Sequence, residues 1–176
     1  RDNLQVETDK PVAHFLHFVH THFPVDLDST CEYRSDDAAW VEANMNRHGL
    51  KNQTQCALSQ FSSFVGKLKE AGIYDNSLII FKSDHGEPAS YYDENRLEAF
   101  KIRDHKLWGF GRYAPFLAVK LPDQNASDMI FDTRPVALGD LALSICTSLL
   151  NESGMCDSFQ GYNIFDPQTV IPADAI

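Results

Sequence analysis

Apolar and polar positions fall along this chain in blocks whose spacing predicts an element for each. Residues 13–19 are mostly apolar, interrupted by His14 and His17. They read as a strand running into His20-Thr21-His22-Phe23-Pro24, where proline ends it. Ser35, Asp36 and Asp37 are helix-start residues, with a helix body over 38–47 and Gly49 as its stop. Leu58, Phe61, Val65 and Leu68 recur at helical spacing, while Ser59, Gln60, Ser63, Lys67 and Glu70 take the other face and Gly72 closes the helix.

Residues 78–81 are a continuous apolar run, the pattern of a strand covered on both faces in a parallel sheet. Helix followed by buried strand predicts a βαβ unit. Residues 116–119 are a third strand, and Leu138, Leu141, Ile145 and Leu149 mark a last amphipathic helix ending near Gly154. Residues 87–104 lack periodicity and read as a loop over the sheet. No repeat or linker interrupts the pattern. The expected fold over 1–176 is a single α/β domain, a mostly parallel sheet sandwiched by helices.

Length supports that picture, since 176 residues exceed the roughly 100 at which a single core becomes comfortable. The 25 acidic residues against 15 basic ones give a net charge of −10, which argues against nucleic acid as a partner. No apolar run approaches the roughly 20 residues of a membrane span. Residues 1–10 are polar, with neither an initiator Met nor a signal-peptide core, so the sequence reads as a piece of something longer.

Cys31, Cys56, Cys146 and Cys156 contain no Cys-x-x-Cys pair, which favours disulfides over a zinc ribbon or a thioredoxin motif. Of the possible pairings, Cys31 with Cys56 and Cys146 with Cys156 is preferred, because each closes a local loop beside an expected helix. Disulfides in turn point to an extracytoplasmic compartment. Sequons at Asn52, Asn125 and Asn151 would act only in a eukaryotic secretory pathway.

Open α/β sheets bind ligands beyond the carboxyl ends of their strands. One such end delivers His20 and His22; another delivers Ser83, Asp84, His85 and Gly86. Adjacent carboxylate and imidazole offer one hard and one borderline ligand, suiting zinc, manganese or calcium more than copper. A metal there would polarise an anionic ester while a histidine protonates the leaving group or holds the anion. The plainer alternative is a turn in which Asp84 accepts backbone N–H bonds. His14 lies six residues from His20, roughly 20 Å along a strand, too far to share an ion with it. His48, beside Gly49, reads as a dipole partner at a helix end. His105, Lys106 and Arg112 precede the third strand as solvated charges or anion contacts.

The run from Gly72 to Ser83-Asp84-His85-Gly86 resembles the sulfatase family of the alkaline phosphatase superfamily, in which a strand ends in Ser-Asp-His-Gly. The likeness continues through His20-Thr21-His22-Phe23-Pro24, similar to the family's His-x-Pro segment. It extends to the strand at 115–119, the Asp-containing helix at 138–143, and the stretch 161–165. This resemblance implies an alkaline phosphatase-like fold with Asp84 and His85 as ligands of one divalent metal ion: calcium, zinc or manganese. It implies His22 as a contact to the substrate anion or leaving group, and beside it we expect His105 as a second catalytic residue and His20, Lys106 and Arg112 as contacts to an anionic ester, a sulfated glycan or lipid headgroup.

Members hydrolyse sulfate esters, while relatives transfer phosphoethanolamine or phosphoglycerol in bacterial envelopes. Cysteines placed like Cys31 and Cys56 are more like the envelope transferases and membrane-anchored relatives. A catalytically inactive anion-binding module is the reading from another class. The chain carries no Cys/Ser-x-Pro-x-Arg nucleophile motif. It is thus expected to be the C-terminal portion of a catalytic domain whose N-terminal half, with nucleophile and further acidic ligand, lies elsewhere. On that expectation the isolated chain is inactive, exposes strand edge and apolar surface through which it would self-associate, and belongs to a periplasmic or extracytoplasmic protein anchored by another segment.

Overall fold

The computed structural model describes residues 12–86, 115–124, 128–149 and 154–172. Along them run α1 (Ala38–Asn44), α2 (Arg47–Glu70), β1 (Ile79–Lys82), β2 (Leu117–Lys120) and α3 (Asp140–Leu149), an α/β chain. It divides into two compact units, Arg1–Tyr74 with Phe81–Leu117 and Asp75–Ile80 with Ala118–Ile176.

In the first unit, α1 begins where the Asp37 carboxylate accepts the Trp40 N–H at 3.0 Å. It stops at Asn44, short of the expected 47, because Asn46 starts a new helix by accepting the N–H groups of His48 and Gly49 at 2.9 and 3.0 Å. Gly49 is therefore inside α2 and not a stop. Its role is close approach: a Cβ there would collide with the Asn44 carbonyl oxygen and lie 2.8 Å from Val25 Cγ1. Gly72 does end the helix as expected. With φ of +69°, it lets its own N–H reach Lys69 O while Ile73 N–H reaches Leu68 O, both at 3.0 Å, a Schellman closure.

Residues 13–19 form no strand. No described strand pairs with them, and an unpaired extended segment gains no ladder bonds. Phe15 is 90% and Val19 62% exposed. The segment after Pro24 is the ordered part. Val25 and Leu27 are buried, as are Cys56, Ala57 and Leu68 of α2. Leu27 bridges to Tyr33, and the Cys31–Cys56 disulfide joins this loop to the helix as preferred from the sequence.

The two described strands pair with each other. At one end Ser83 N–H donates to Phe116 O at 3.0 Å; at the other Asp123 N–H donates to Asp75 O at 2.7 Å. The start of one strand thus meets the end of the other, and the pair is antiparallel. The apolar run at 78–81 led us to expect a parallel neighbour covered on both faces, yet β1 is half-buried with Lys82 exposed. An antiparallel pair needs no such double cover.

In the second unit, α3 is organised by buried polar groups. Asp140 accepts N–H bonds from Ala137 at 2.8 Å and Tyr162 at 3.0 Å. The fully buried Ser144 hydroxyl donates to Asp140 O at 2.7 Å and accepts from Ile164 N–H at 3.0 Å. Arg134, paired with Asp132, donates to the carbonyls of Ile164, Asp166 and Thr169. The preferred Cys146–Cys156 disulfide ties the helix to the segment that follows.

Candidate functional site

All described candidate residues belong to the first unit. The end of β1 is set by aromatic packing and by Ser83. Phe81 stacks on Phe61 of α2 with centroids 4.3 Å apart and meets Phe116 edge-on at 5.5 Å. Ser83 then closes the ladder twice, its N–H on Phe116 O and its hydroxyl accepting Phe116 N–H at 2.8 Å. With Ser83 spent on the neighbouring strand, Asp84 and His85 are the first residues to leave the sheet.

Their chemistry follows from three contacts. Asp84 Oδ1 accepts the His85 N–H at 2.9 Å. His85 Nδ1 lies 2.8 Å from Gly86 O, and a carbonyl only accepts, so Nδ1 carries the proton and the neutral ring keeps its lone pair on Nε2. That Nε2 lies 3.6 Å from Asp84 Oδ2. Partial desolvation pushes the Asp84 carboxyl up, but hydrogen bonding led by the His85 backbone N–H, together with electrostatic attraction, outweighs it and holds the carboxyl below its ordinary value. Asp84 thus stays ionised through neutral pH. An ionised oxygen and an imidazole lone pair at this separation fit two ligands of one ion, which at bond lengths of about 2.1 Å stand about 3.4 Å apart. Among the described residues no group of three or more His, Cys, Asp or Glu could hold a metal ion.

The histidine segment is built differently. His20 is half-buried and its Nε2 lies 3.2 Å from Gln60 Oε1, so this ring is engaged by α2. His22 is exposed. Its Nδ1 is bonded to Phe23 O, which leaves Nε2 as the atom able to take or give a proton. Below them Gln53, fully buried, bonds both His22 O and Asp26 N–H. His105, Lys106 and Arg112 lie outside the described residues.

Two expectations are corrected. His48 sits in the first turn of α2, the positive end of the helix dipole, where its backbone N–H is held by Asn46; a cationic partner belongs at the other end. Gln60, assigned to the solvent face, instead bonds His20. Sequence reading missed Gln53, although Gly49, Gln53, Cys56 and Gln60 share the helical spacing of a buried stripe.

The α/β chain thus carries an Asp-His pair at a strand end and a His-bearing segment in the same unit. The chain belongs to the sulfatase family, whose model matches residues 1–115. That match spans the described histidine segment, α2, β1 and the Asp84-His85 pair, and ends before β2 and α3. No curated protein and no solved structure matches the chain. The family is one of hydrolases acting on sulfate esters, typically with a divalent metal. The two disulfides fit an extracellular or periplasmic setting, and no described helix is long and apolar enough to cross a membrane.

Proposed function

We propose that this chain serves a metal-dependent sulfatase-like hydrolase of sulfate esters, with Asp84 and His85 as two ligands of one divalent ion. The observation that carries this reading is the pair itself: a carboxylate held ionised, 3.6 Å from an imidazole nitrogen whose ring partner is committed to Gly86 O. The ion, when bound, supplies Lewis-acid polarisation of the ester oxyanion. The chain's own residues do the rest. His22, through Nε2, holds the anion or protonates the leaving group; His20 stays with Gln60 and steadies the segment. His105 as a further catalytic group, with Lys106 and Arg112 as anion contacts, completes the set.

The 176 residues contain no Cys/Ser-x-Pro-x-Arg nucleophile. On this reading they are the C-terminal portion of an alkaline phosphatase-like domain with a mostly parallel sheet, completed by polypeptide that carries the nucleophile and the remaining ligands. The exposed segment around Phe15 then suits pairing with that polypeptide, or self-association when it is absent. The protein acts outside the cytoplasm, anchored through another segment. One feature favours transfer of phosphoethanolamine or phosphoglycerol instead: cysteines placed like Cys31 and Cys56, here joined in a disulfide, are by the resemblance more like the envelope transferases.

Metal analysis of the full-length protein tests the site. One tightly bound divalent ion, lost in Asp84→Asn and His85→Ala, is the expected result; an ion-free wild type refutes it. The isolated 176-residue chain should not turn over aryl sulfates or aryl phosphates above a His85→Ala control, and turnover above that control refutes the division of the site. Full-length protein that binds metal but hydrolyses and transfers nothing would instead indicate an anion-binding module.

A further inference from the structure

Gln53 is the one polar side chain of α2 that is fully buried, and both ends of its amide are spent on a single loop. Its Oε1 accepts the Asp26 N–H at 3.1 Å and its Nε2 donates to His22 O at 3.3 Å. The orientation is forced, because Asp26 N–H can only donate and His22 C=O can only accept; a flipped amide would meet both with the wrong group. The amide therefore spans residues 22–26 as a clamp. The same face of α2 continues the hold: Gln60 on His20 above it, and Gly49 one turn below, pressed against Val25. Val25 N–H is taken by Met45 Sδ at 3.3 Å.

A buried amide is a costly way to fill space, since losing either partner strands a desolvated polar group. An apolar side chain of similar volume would fill the space but leave the Asp26 N–H and the His22 carbonyl without this partner. What the amide adds is direction. It fixes the His22 carbonyl, and with it the backbone that carries the imidazole. We infer that Gln53 is a positioning residue that sets where the His22 ring stands. This rests on the proposed role of His22 for its importance, but not for its geometry.

The test uses Gln53→Met, which keeps the volume and removes both bonds, and Gln53→Leu, which removes both bonds with a shorter side chain. Nitrogen-15 spectra of the imidazoles at pH 8 report which ring nitrogen carries the proton. Wild-type His22 should show Nδ1–H, matching its bond to Phe23 O; both variants should shift it towards the free-solution mixture while His85 keeps its Nδ1–H signature. Asp26 amide exchange protection should fall by at least about tenfold in both variants, the order expected when a buried donor loses its acceptor. A purely space-filling Gln53 would lower the melting temperature and leave the His22 tautomer alone, and that result overturns the inference. Should Gln53→Met fail to fold, Gln53→Leu decides by the same tautomer readout. If His22→Gln in the full-length protein leaves turnover intact while the Gln53 variants still shift the tautomer, the proposed role of His22 falls and the clamp stands.

Discussion

Replacing Gly49 with alanine probes how closely α2 seats the segment carrying His20 and His22, and the same helix supplies its own control. In an ordinary helix interior alanine is better than glycine by about 1 kcal/mol, through the backbone entropy glycine loses. At Gly66 no atom beyond its chain neighbours and the helix's own backbone lies within 4 Å of the added Cβ, so Gly66→Ala should stabilise by about 0.5–1 kcal/mol. At Gly49 the Cβ meets three atoms: the Asn44 carbonyl oxygen, its carbon at 3.2 Å, and Val25 Cγ1 at 2.8 Å. Neither neighbour can yield freely. The Asn44 oxygen accepts the N–H of Asn46, the residue that caps α2, and Val25 is fully buried. Overpacking of this kind costs about 1–3 kcal/mol, which outweighs the propensity gain. Gly49→Ala should therefore be less stable than Gly66→Ala by about 2 kcal/mol, or about 1 M in the urea midpoint for a slope of about 2 kcal/mol per molar. Urea unfolding with disulfides intact, followed by far-ultraviolet circular dichroism, measures it. A Gly49→Ala chain as stable as Gly66→Ala would refute the close approach and, with it, the account of why glycine stands inside α2.

Acid should loosen the loop before α1. The Asp28 carboxyl is held below its ordinary 3.8 by hydrogen bonds from the Thr30 hydroxyl and the Glu32 and Thr30 backbone, with Arg34 adding charge. A carboxyl depressed in the folded state contributes stability that is present above its unfolded value and disappears as pH falls through its folded one, so the loss begins below about pH 4. Amide exchange of Thr30 and Glu32 against pH checks this, and Thr30→Val should weaken the effect. Removing the Cys31–Cys56 bond, at a sequence separation of 25, should cost about 3.5 kcal/mol, against about 2.7 kcal/mol for Cys146–Cys156 at a separation of 10. Thermal unfolding of the two double-alanine variants ranks them, and the reverse order would count against the loop-entropy argument.

What the sequence made legible was whatever depends on local rules. The α2 stop at Gly72 could be read because a left-handed C-terminal position selects glycine, and the Asp84-His85 pair could be singled out because its two residues are adjacent in the chain. The cysteine pairing followed from short separations. The failures are non-local. Gly49 looks like a stop until Val25 is known to press on it, and Gln60 looks solvent-facing until His20 arrives from 40 residues away. Residues 13–19 have strand composition but no described partner, and strandness is a property of the pair. The antiparallel partner of β1 was invisible for the same reason: an apolar run says that a strand is covered, not which way its neighbour runs.

These failures converge on α2, and that bears on how the site is held. The helix touches the histidine segment through Gln53 and Gln60, and the strand that delivers Asp84 and His85 through Phe61 on Phe81. Residues 53 and 61 are eight positions apart, about 12 Å along a rigid helix. One element thus bears on both groups of candidate residues, by hydrogen bonds on one side and ring stacking on the other. The two kinds of contact answer different needs. Stacked rings tolerate small sliding and hold a strand in place by area, whereas an amide with one donor and one acceptor fixes orientation. Asp84 and His85 orient each other through the His85 N–H and the Gly86 carbonyl, so the strand needs only to be placed. Among the described residues His22 has no such neighbour beyond its bond to Phe23 O, and the directional contact from α2 falls on its own backbone carbonyl.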